Sequence, residues 1–249
     1  MKFNVKEFSM YLGKFSNVRT IFQKELRSYF NSTIAYVVIV VFFVLMGWFY
    51  ASNIFLVNIA TLRDMFEYAG VIFLFVIPAM TMRLLAEERK SGTIELLTTK
   101  PLHDAEIVIG KFLASWAFVG ITILPTLVYY ITIVFIGDID LGPVIGGYLG
   151  LILMTGVYVA VGLLASSLTE NQIVAFMLGL FFCIVLFFID KMLIVMPDFS
   201  TSVLQFLSVD YHFSNIARGV IDSRDIIYFA SVLGFTLYLS VVSLERRKW

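Results

Sequence analysis

The charged side chains of this sequence concentrate in residues 82–112, between two long apolar stretches. The segment carries ten carboxylate, ammonium and guanidinium groups, at Arg83, Glu87, Glu88, Arg89, Lys90, Glu95, Lys100, Asp104, Glu106 and Lys111. Adjacent carboxylates such as Glu87 and Glu88 could serve acid–base catalysis in a membrane hydrolase. A mixed-charge helix can instead bind a partner protein, or the segment can be a solvated loop. The other reactive residues of the chain discriminate between these chemistries.

Hydrolysis within the membrane finds no support among those residues. The pair Glu87–Glu88 is similar to the Glu-Glu-x-x-x-Arg motif of CAAX-type membrane proteases, but Gly92 stands where that motif needs arginine. His103 and His212 fall in predicted loops, so neither can form a dyad with a serine inside a span. Cys183 is the only cysteine, which excludes an intrachain disulfide and a Cys-based zinc site. The sequence therefore does not predict a membrane protease.

Nucleotide binding and ion coupling are also unsupported. Gly13–Lys14 and Gly110–Lys111 are each followed by phenylalanine, so the sequence lacks the G-x-x-x-x-G-K-[ST] loop that cradles a nucleoside triphosphate. The long apolar runs carry no ionisable residue in their middle, unlike the spans of ion-coupled transporters and proton pumps. The net charge is zero, so no bulk charge attracts nucleic acid.

Six apolar stretches must position the charged segment. Hydrophobic residues make up 60% of the 249 residues and charged residues 14%, against about 45–50% and 25% in soluble proteins. Uncharged runs of 35, 26, 29, 19 and 19 residues meet the roughly 17–25 residues that a spanning helix needs. A further uncharged run of 15 residues reaches this length when the predicted helix is extended toward its N-terminal end. The predicted spans are 33–56, 64–82, 108–136, 143–166, 171–193 and 226–244.

Basic residues predict the orientation of these spans. An even number of spans places both termini on one side, and 14 of the 18 Lys and Arg residues fall on that side. Cytoplasmic loops carry this excess, so both termini are predicted to be cytoplasmic. The first apolar run begins too far along the chain for a signal peptide, and we expect it to be retained as an anchor.

Residues 4–30 form a separate amphipathic element. Apolar side chains recur there every three or four residues, at Val5, Phe8, Leu12, Phe15, Val18, Phe22, Leu26 and Tyr29. This pattern is typical of a helix that lies flat in the cytoplasmic interface of the membrane. A helix packed on a partner protein has the same pattern, and this alternative stays open. The predicted organisation is a helix in residues 1–32 and a transmembrane domain in residues 33–249.

Two further features lie toward the predicted outer side. Residues 192–225 contain FSTSVLQFLSV, 11 residues that are too few to cross the bilayer and too apolar for a free loop. We interpret this region as re-entrant or interfacial. In the fourth span, Gly142, Gly146 and Gly150 are spaced by four residues, which allows close helix packing within the chain or against a second subunit.

The spacing within the charged segment predicts a short helix on the cytoplasmic side. Arg83 and Glu87 are four residues apart and share one helix face. Gly92 is expected to end that helix. Asp104 is the predicted N-cap of the third span, with Glu106 in its first turn, where an acidic side chain complements the helix dipole.

These residues carry a resemblance to a known family. The pattern Glu87–Glu88–Arg89…Gly92–Thr93…Glu95–Leu96…Pro101…Gly110–Lys111 resembles the cytoplasmic loop of ABC-2-type transporter permeases. The strings IPAMTMRLLAEERKSGTIELLTTKPL (77–102) and ASSLTENQIVAF (165–176) closely resemble the gliding-motility-associated ABC transporter permeases of Bacteroidetes-type bacteria. The similarity extends over nearly the whole chain.

The resemblance implies an all-α membrane protein of six transmembrane helices, similar to type V exporters, with an amphipathic connecting helix and an outer re-entrant segment. It implies a multi-pass permease of the bacterial inner membrane that is not itself an enzyme and holds no cofactor. A second permease copy or paralogue would pair with it. Separate ABC ATPase subunits would bind ATP and Mg²⁺, and a membrane-anchored extracytoplasmic subunit would complete some assemblies.

The resemblance also implies a site. The loop 83–111 would supply a coupling helix that contacts the ATPase, and ATP hydrolysis would drive cargo movement, in the export direction and in connection with gliding motility. The residues carried over to this contact are Arg83, Glu87, Glu88, Arg89, Gly92, Thr93, Glu95 and Leu96. The alternative is a membrane scaffold of a surface or motility complex that transports nothing.

Overall fold

A computed structural model describes residues 5–57, 61–92, 103–137, 139–191 and 205–246, and all secondary structure within these ranges is helical. The helices are α1 (Val5–Phe30), α2 (Thr33–Ser52), α3 (Arg63–Thr81), α4 (Arg83–Lys90), α5 (Asp104–Ile123), α6 (Leu127–Ile136), α7 (Leu141–Leu168), α8 (Gln172–Phe188), α9 (Val209–Ala217) and α10 (Ser223–Glu245). A π-turn, Asn53–Val57, extends α2, and a 3₁₀ turn, Leu124–Thr126, joins α5 to α6.

Five helical stretches of the described chain are long and apolar enough to cross a membrane: Ala35–Phe55, Arg63–Lys90, Asp104–Ile136, Leu141–Leu168 and Ser223–Glu245. They coincide with five of the six predicted spans, so the prediction of an all-helical, multi-pass membrane protein is confirmed. The remaining predicted span contains α8, which is apolar but has 17 residues. At 1.5 Å per residue α8 is about 26 Å long, somewhat short of a hydrocarbon core of about 30 Å.

α7 occupies the centre of the bundle. It packs against α3, α8, α9 and α10 and, less extensively, against α5. Most side chains in its second half are buried, with Tyr158 and Met154 at 0% exposure, whereas Leu141, Ile145 and Ile152 are exposed. α2 by contrast presents a row of apolar side chains outward, including Val40, Val44 and Trp48. This contrast is expected for one central helix surrounded by helices that face lipid.

The helices α1–α2 run beside α5–α6 in the same direction. Side-chain hydrogen bonds join them at five levels: Asn17–Glu106, Glu25–Lys111, Tyr29–Ser115, Phe43–Tyr129 and Tyr50–Thr132. The partners are 89, 86, 86, 86 and 82 residues apart along the chain. A nearly constant separation of this kind is what two parallel stretches of helix produce.

This arrangement packs the second half of α1 lengthwise along α5, while its predicted position in the membrane interface stays a prediction. The part of α1 from residue 17 onward follows α5, itself the start of a candidate span, instead of crossing it. The physical reason is that the polar residues between its apolar positions have specific partners on α5. Tyr29 also stacks on Phe118, with ring centroids 4.9 Å apart. These contacts orient the helix, and an apolar stripe alone does not.

Candidate functional site

α4, the short helix that carries the predicted coupling residues, is fastened to α7 at its start. The Ser166 hydroxyl oxygen accepts hydrogen bonds from the backbone N–H groups of Leu85 and Ala86, both at 3.0 Å. The same hydroxyl donates to the Met82 carbonyl at 2.9 Å. The first N–H groups of a helix lack partners within it, so a serine from another helix supplies the missing acceptor. Leu84, Leu85 and Ala86 are buried, which fixes this turn of α4 in the bundle.

The polar side of α4 joins an ionic cluster, defined here as Lys24, Glu25, Glu88 and Lys111. Lys111 Nζ lies 2.9 Å from Glu25 Oε1 and 2.8 Å from Glu88 Oε1. The Lys111 side chain is only 3% exposed, and those of Glu25 and Glu88 are 13% and 17% exposed. A buried ammonium is tolerated when carboxylates compensate for its lost hydration. The cluster therefore ties α1, α4 and α5 together through one cation.

The structure separates the predicted coupling residues into two groups. Arg83, Glu87 and Gly92 are exposed, whereas Glu88 and Arg89 are partly buried. Gly92 follows the last turn of α4 with φ +68°, a conformation that favours glycine, so the prediction that it ends this helix is confirmed. Three further members lie outside the described residues: Thr93, Glu95 and Leu96.

The start of α5 differs from the prediction in one detail. The helix begins at Asp104 itself, and the extended residue His103 takes the N-cap position that was expected for Asp104. Glu106 Oε2 accepts from the His103 backbone N–H at 3.1 Å and from Asn17 Nδ2 at 3.2 Å. A carboxylate in the third helical position can satisfy the N-cap donor in this way. The boundary shifts by one residue because Glu106, not Asp104, makes the capping bond.

A cavity of about 500 Å³ opens between α1, α2, α3 and α4 beside the ionic cluster. One part of its wall is charged and includes Lys24, Arg83, Glu87 and the cluster carboxylates. The part toward the transmembrane helices is apolar: Ala35, Val38, Val76, Ala79, Met80 and Leu84. The cavity is therefore amphipathic along its length.

Tyr29, which also lines this cavity, stays a neutral hydrogen-bonding group. Burial raises the pKa of its hydroxyl to about 12, although a 3.0 Å hydrogen bond to the Ser115 hydroxyl opposes the shift. A neutral phenol at this place adds no charge to the wall of the cavity.

The predicted glycine stripe faces α9 and the turn after it within the same chain. A Cβ atom on Gly146 would collide with the Ile216 carbonyl oxygen, and one on Gly150 would press on the Phe213 ring. Gly142 lies against the backbone of Gly219. All three contacts are within one chain, and packing against a second subunit stays the open alternative.

Sequence reasoning missed a buried pair on the predicted outer side. His212, which was expected in a loop, is on α9 with its Nδ1 2.6 Å from Asp225 Oδ1 on α10. Its Nε2 lies 3.0 Å from the Phe206 carbonyl oxygen, and its ring stacks on Tyr228 at 3.9 Å. No sequence motif pointed to this pair. It anchors the described part of the outer segment, whereas residues 192–204 lie outside the described part of the chain.

The ionic cluster was missed for a related reason. Lys111 and Glu25 are 86 residues apart, and each by itself is ordinary for the flank of a membrane helix.

Among the residues that the structure describes, no group of three or more His, Cys, Asp or Glu side chains is placed to hold a metal ion. The described arrangement is suited to transmitting force between helices, since it has fixed ionic and hydrogen-bonded joints.

Comparison with known protein families gives a match. A family model described as ABC-2 family transporter protein matches residues 65–219, which is more than half of the chain. The matched range includes α4, the Ser166 contact and two members of the ionic cluster, Glu88 and Lys111. No curated protein matches the sequence.

Proposed function

The chain belongs to the ABC-2 family of transporter proteins, and from this membership we propose that it couples ATP hydrolysis by a separate subunit to export of a cargo. The family membership makes it a membrane-embedded transporter permease subunit, and it implies an ABC ATPase as partner. In our proposal that partner binds ATP and Mg²⁺, and this chain supplies the path and the mechanical connection.

The observation that carries the proposal is the bridge from Lys111 to both Glu25 and Glu88. α4 is joined through it to α1 and α5, and through Ser166 to α7. When ATP binding closes the ATPase dimer, a helix seated on the ATPase moves with it. Because α4 has fixed joints to three other helices, its displacement shifts the spans between inward-open and outward-open states.

The exposed residues of the segment are the ones we assign to the ATPase contact. Arg83 and Glu87 are exposed on α4, and Gly92 follows the last turn of this helix. Glu88 and Arg89 are assigned a positioning role, since their side chains turn toward the bundle. We assign Thr93, Glu95 and Leu96 to the same ATPase contact on the resemblance alone.

The proposed assembly contains a second permease copy or paralogue in the bacterial inner membrane, with both termini in the cytoplasm and α8 as part of a sixth span. The excess of basic residues on the terminal side supports this orientation. A role in gliding motility and an extracytoplasmic auxiliary subunit rest on the resemblance of residues 77–102 and 165–176. The competing function is a scaffold that transports nothing, and it needs no ATPase contact.

A cysteine-accessibility experiment tests the contact and the orientation together. Cys183 is the only cysteine and is buried, so an introduced cysteine is a selective reporter. Glu87→Cys in inside-out vesicles is expected to react with a membrane-impermeant maleimide, and to be protected when the ABC ATPase is bound. Glu67→Cys, an exposed carboxylate position at the other end of α3, is the matched control.

Two outcomes would decide against the proposal. Equal labelling of Glu87→Cys with and without the ATPase would contradict the coupling contact. Labelling of Glu67→Cys, but not Glu87→Cys, in the same inside-out vesicles would reverse the orientation. Loss of ATPase stimulation by Gly92→Pro, with normal membrane insertion, is the functional counterpart that we expect.

A further inference from the structure

The cavity between α1, α2, α3 and α4 has the volume and the wall of a ligand site. Its volume of about 500 Å³ falls within the roughly 300–1,000 Å³ of small-molecule sites. It lies where α3 leaves its apolar stretch and continues into α4, because the helical stretch Arg63–Lys90 contains both. With the apolar part of this stretch spanning the membrane, the cavity would lie at the boundary between the membrane and the aqueous phase.

Two opposite charges on the rim of the cavity are not paired with each other. Arg83 and Glu87 are four residues apart on α4, and both line the cavity. Within the described part of the chain, neither side chain forms a salt bridge. A helical i,i+4 pair of this kind usually attracts, so the open pair leaves room for a group that carries both charges.

The order of these charges along the membrane normal matches one class of molecule. Arg83 is closer to the apolar part of α3, and Glu87 is about one helical turn, roughly 6 Å, further from it. In a phospholipid with an ethanolamine headgroup, the phosphate is next to the acyl chains and the ammonium lies beyond it by two carbon atoms. The guanidinium thus meets the phosphate, and the carboxylate meets the ammonium.

The rest of the wall agrees with this occupant. Lys24, 65% exposed, is paired only loosely, with its Nζ 3.9 Å from Glu25 and 4.0 Å from Glu88, and so adds a second cation for the phosphate. Toward the membrane the wall is formed by small or aliphatic side chains, among them Val38, Val76 and Ala79. An acyl chain can lie against this surface without burying any polar group.

We propose that this cavity binds phosphatidylethanolamine from the adjacent leaflet, with Arg83 on the phosphate and Glu87 on the ammonium. The site goes beyond the proposed function, because it requires neither an ATPase nor cargo movement. Arg83 and Glu87 are also assigned to the ATPase contact, so the lipid occupies them in the chain without its ATPase and leaves them when the ATPase binds. Its occupant would connect α1 and α2 to α4 at the level of the ionic cluster, as a lipid component of the joint.

Native mass spectrometry of the full-length chain in detergent tests the site without the ATPase. The probes are phosphatidylethanolamine and phosphatidylglycerol with identical acyl chains, added at equal concentration. We expect one tightly retained phosphatidylethanolamine per chain, preferred over phosphatidylglycerol about two- to five-fold, the range of one exposed ion pair. Glu87→Gln is expected to bring this ratio toward one, whereas Arg83→Gln is expected to weaken retention of both lipids.

A cavity-filling variant separates this site from general lipid contact. Ala79→Trp places an indole in the apolar part of the cavity and is expected to abolish the preferred retention. Val71→Trp is the matched control, since Val71 is exposed on the same helix and does not line the cavity. Circular dichroism and elution volume establish that each variant is folded.

Three results would overturn the proposal. They are equal retention of the two lipids by the unmodified chain, unchanged retention by Ala79→Trp, and a dimer that only Ala79→Trp dissociates. The last result would assign the cavity to a second copy of the chain. None of them bears on the protection of Glu87→Cys by the ATPase, so failure of this site and failure of the coupling proposal are distinguishable.

Discussion

Lys111 Nζ lies 2.9 Å from Glu25 Oε1, which joins two helices whose interacting residues are 86 positions apart. The same ammonium contacts Glu88 on α4, so one nearly buried cation is shared by two carboxylates. This relationship joins three helices, α1, α4 and α5, through a single side chain. The predicted coupling helix α4 is therefore not an isolated protrusion, because it is joined to α1 and α5.

The first prediction concerns this cation. Lys111→Met leaves Glu25 and Glu88 with only the more distant and exposed Lys24 as a counter-charge, and we expect a loss of about 3 kcal/mol in unfolding free energy. Thermal unfolding in detergent measures the effect. Arg63→Met is the control, because its pair with Glu67 is exposed on both sides and is worth at most about 1 kcal/mol. Similar losses in both variants would contradict the importance of the buried joint.

The second prediction concerns Ser166, whose hydroxyl oxygen accepts hydrogen bonds from N–H groups in the first turn of α4. Ser166→Ala removes the acceptor for the Leu85 and Ala86 N–H groups, and we expect about 1–2 kcal/mol of destabilisation, as for a lost helix cap. It should also reduce stimulation of the bound ATPase, because α4 loses its joint to α7. The neighbouring Ser167→Ala is the matched control, since the Ser167 hydroxyl donates only within its own helix, to Leu164. Equal ATPase stimulation in the two variants would argue against a mechanical role.

The third prediction contrasts glycines with and without room for a side chain. Gly146→Ala forces a methyl group against the Ile216 carbonyl oxygen and is expected to destabilise the chain by about 1–3 kcal/mol. At Gly234 an added Cβ atom would have no heavy atom of another part of the structure within 4 Å. Gly234→Ala is therefore expected to stabilise the chain by up to about 1 kcal/mol, because alanine is the better helix former. Thermal unfolding of both variants should give opposite signs. A gain in stability for Gly146→Ala would refute the packing of α9 on α7.

The fourth prediction concerns pH and Asp210, which lies in the first turn of α9. Burial raises the pKa of Asp210 above its ordinary value of 3.8, although Lys191, with Nζ 3.2 Å away, opposes the shift. Nearby Asp190 and Glu67 add to the rise of the pKa. The folded chain therefore binds this proton more tightly than the unfolded chain does. Stability should rise as the pH falls from the raised pKa toward 3.8, and it should be lower above the raised pKa.

Asp210→Asn tests this linkage. The variant should lose the contribution of Asp210 to the pH dependence of the unfolding midpoint, and at neutral pH it should lose no more than about 1 kcal/mol. Glu245→Gln, which removes an exposed carboxylate at the end of α10, is the control for the loss of one negative charge. Identical profiles for the unmodified chain and Asp210→Asn would show that burial of Asp210 has no thermodynamic effect.

Much of the fold could be predicted from the sequence, because it depends on local physical constraints. Lipid requires long uncharged helices, so five of the six predicted spans coincide with helical stretches of the structure. A residue with positive φ after the end of a helix favours glycine, and Gly92 occupies that position after α4. In each case the determining interaction is between neighbouring residues or between a residue and the solvent.

The tertiary structure decided what depends on distant partners. The direction of α1, the burial of Lys111 and the pairing of His212 with Asp225 each require side chains that the chain brings together from different helices. Hydrophobic periodicity reports which face of a helix is apolar, but it does not distinguish lipid from another helix as the neighbour of that face. Only the tertiary structure makes that distinction, because the free energy of a buried ion pair depends on the simultaneous position of all its members.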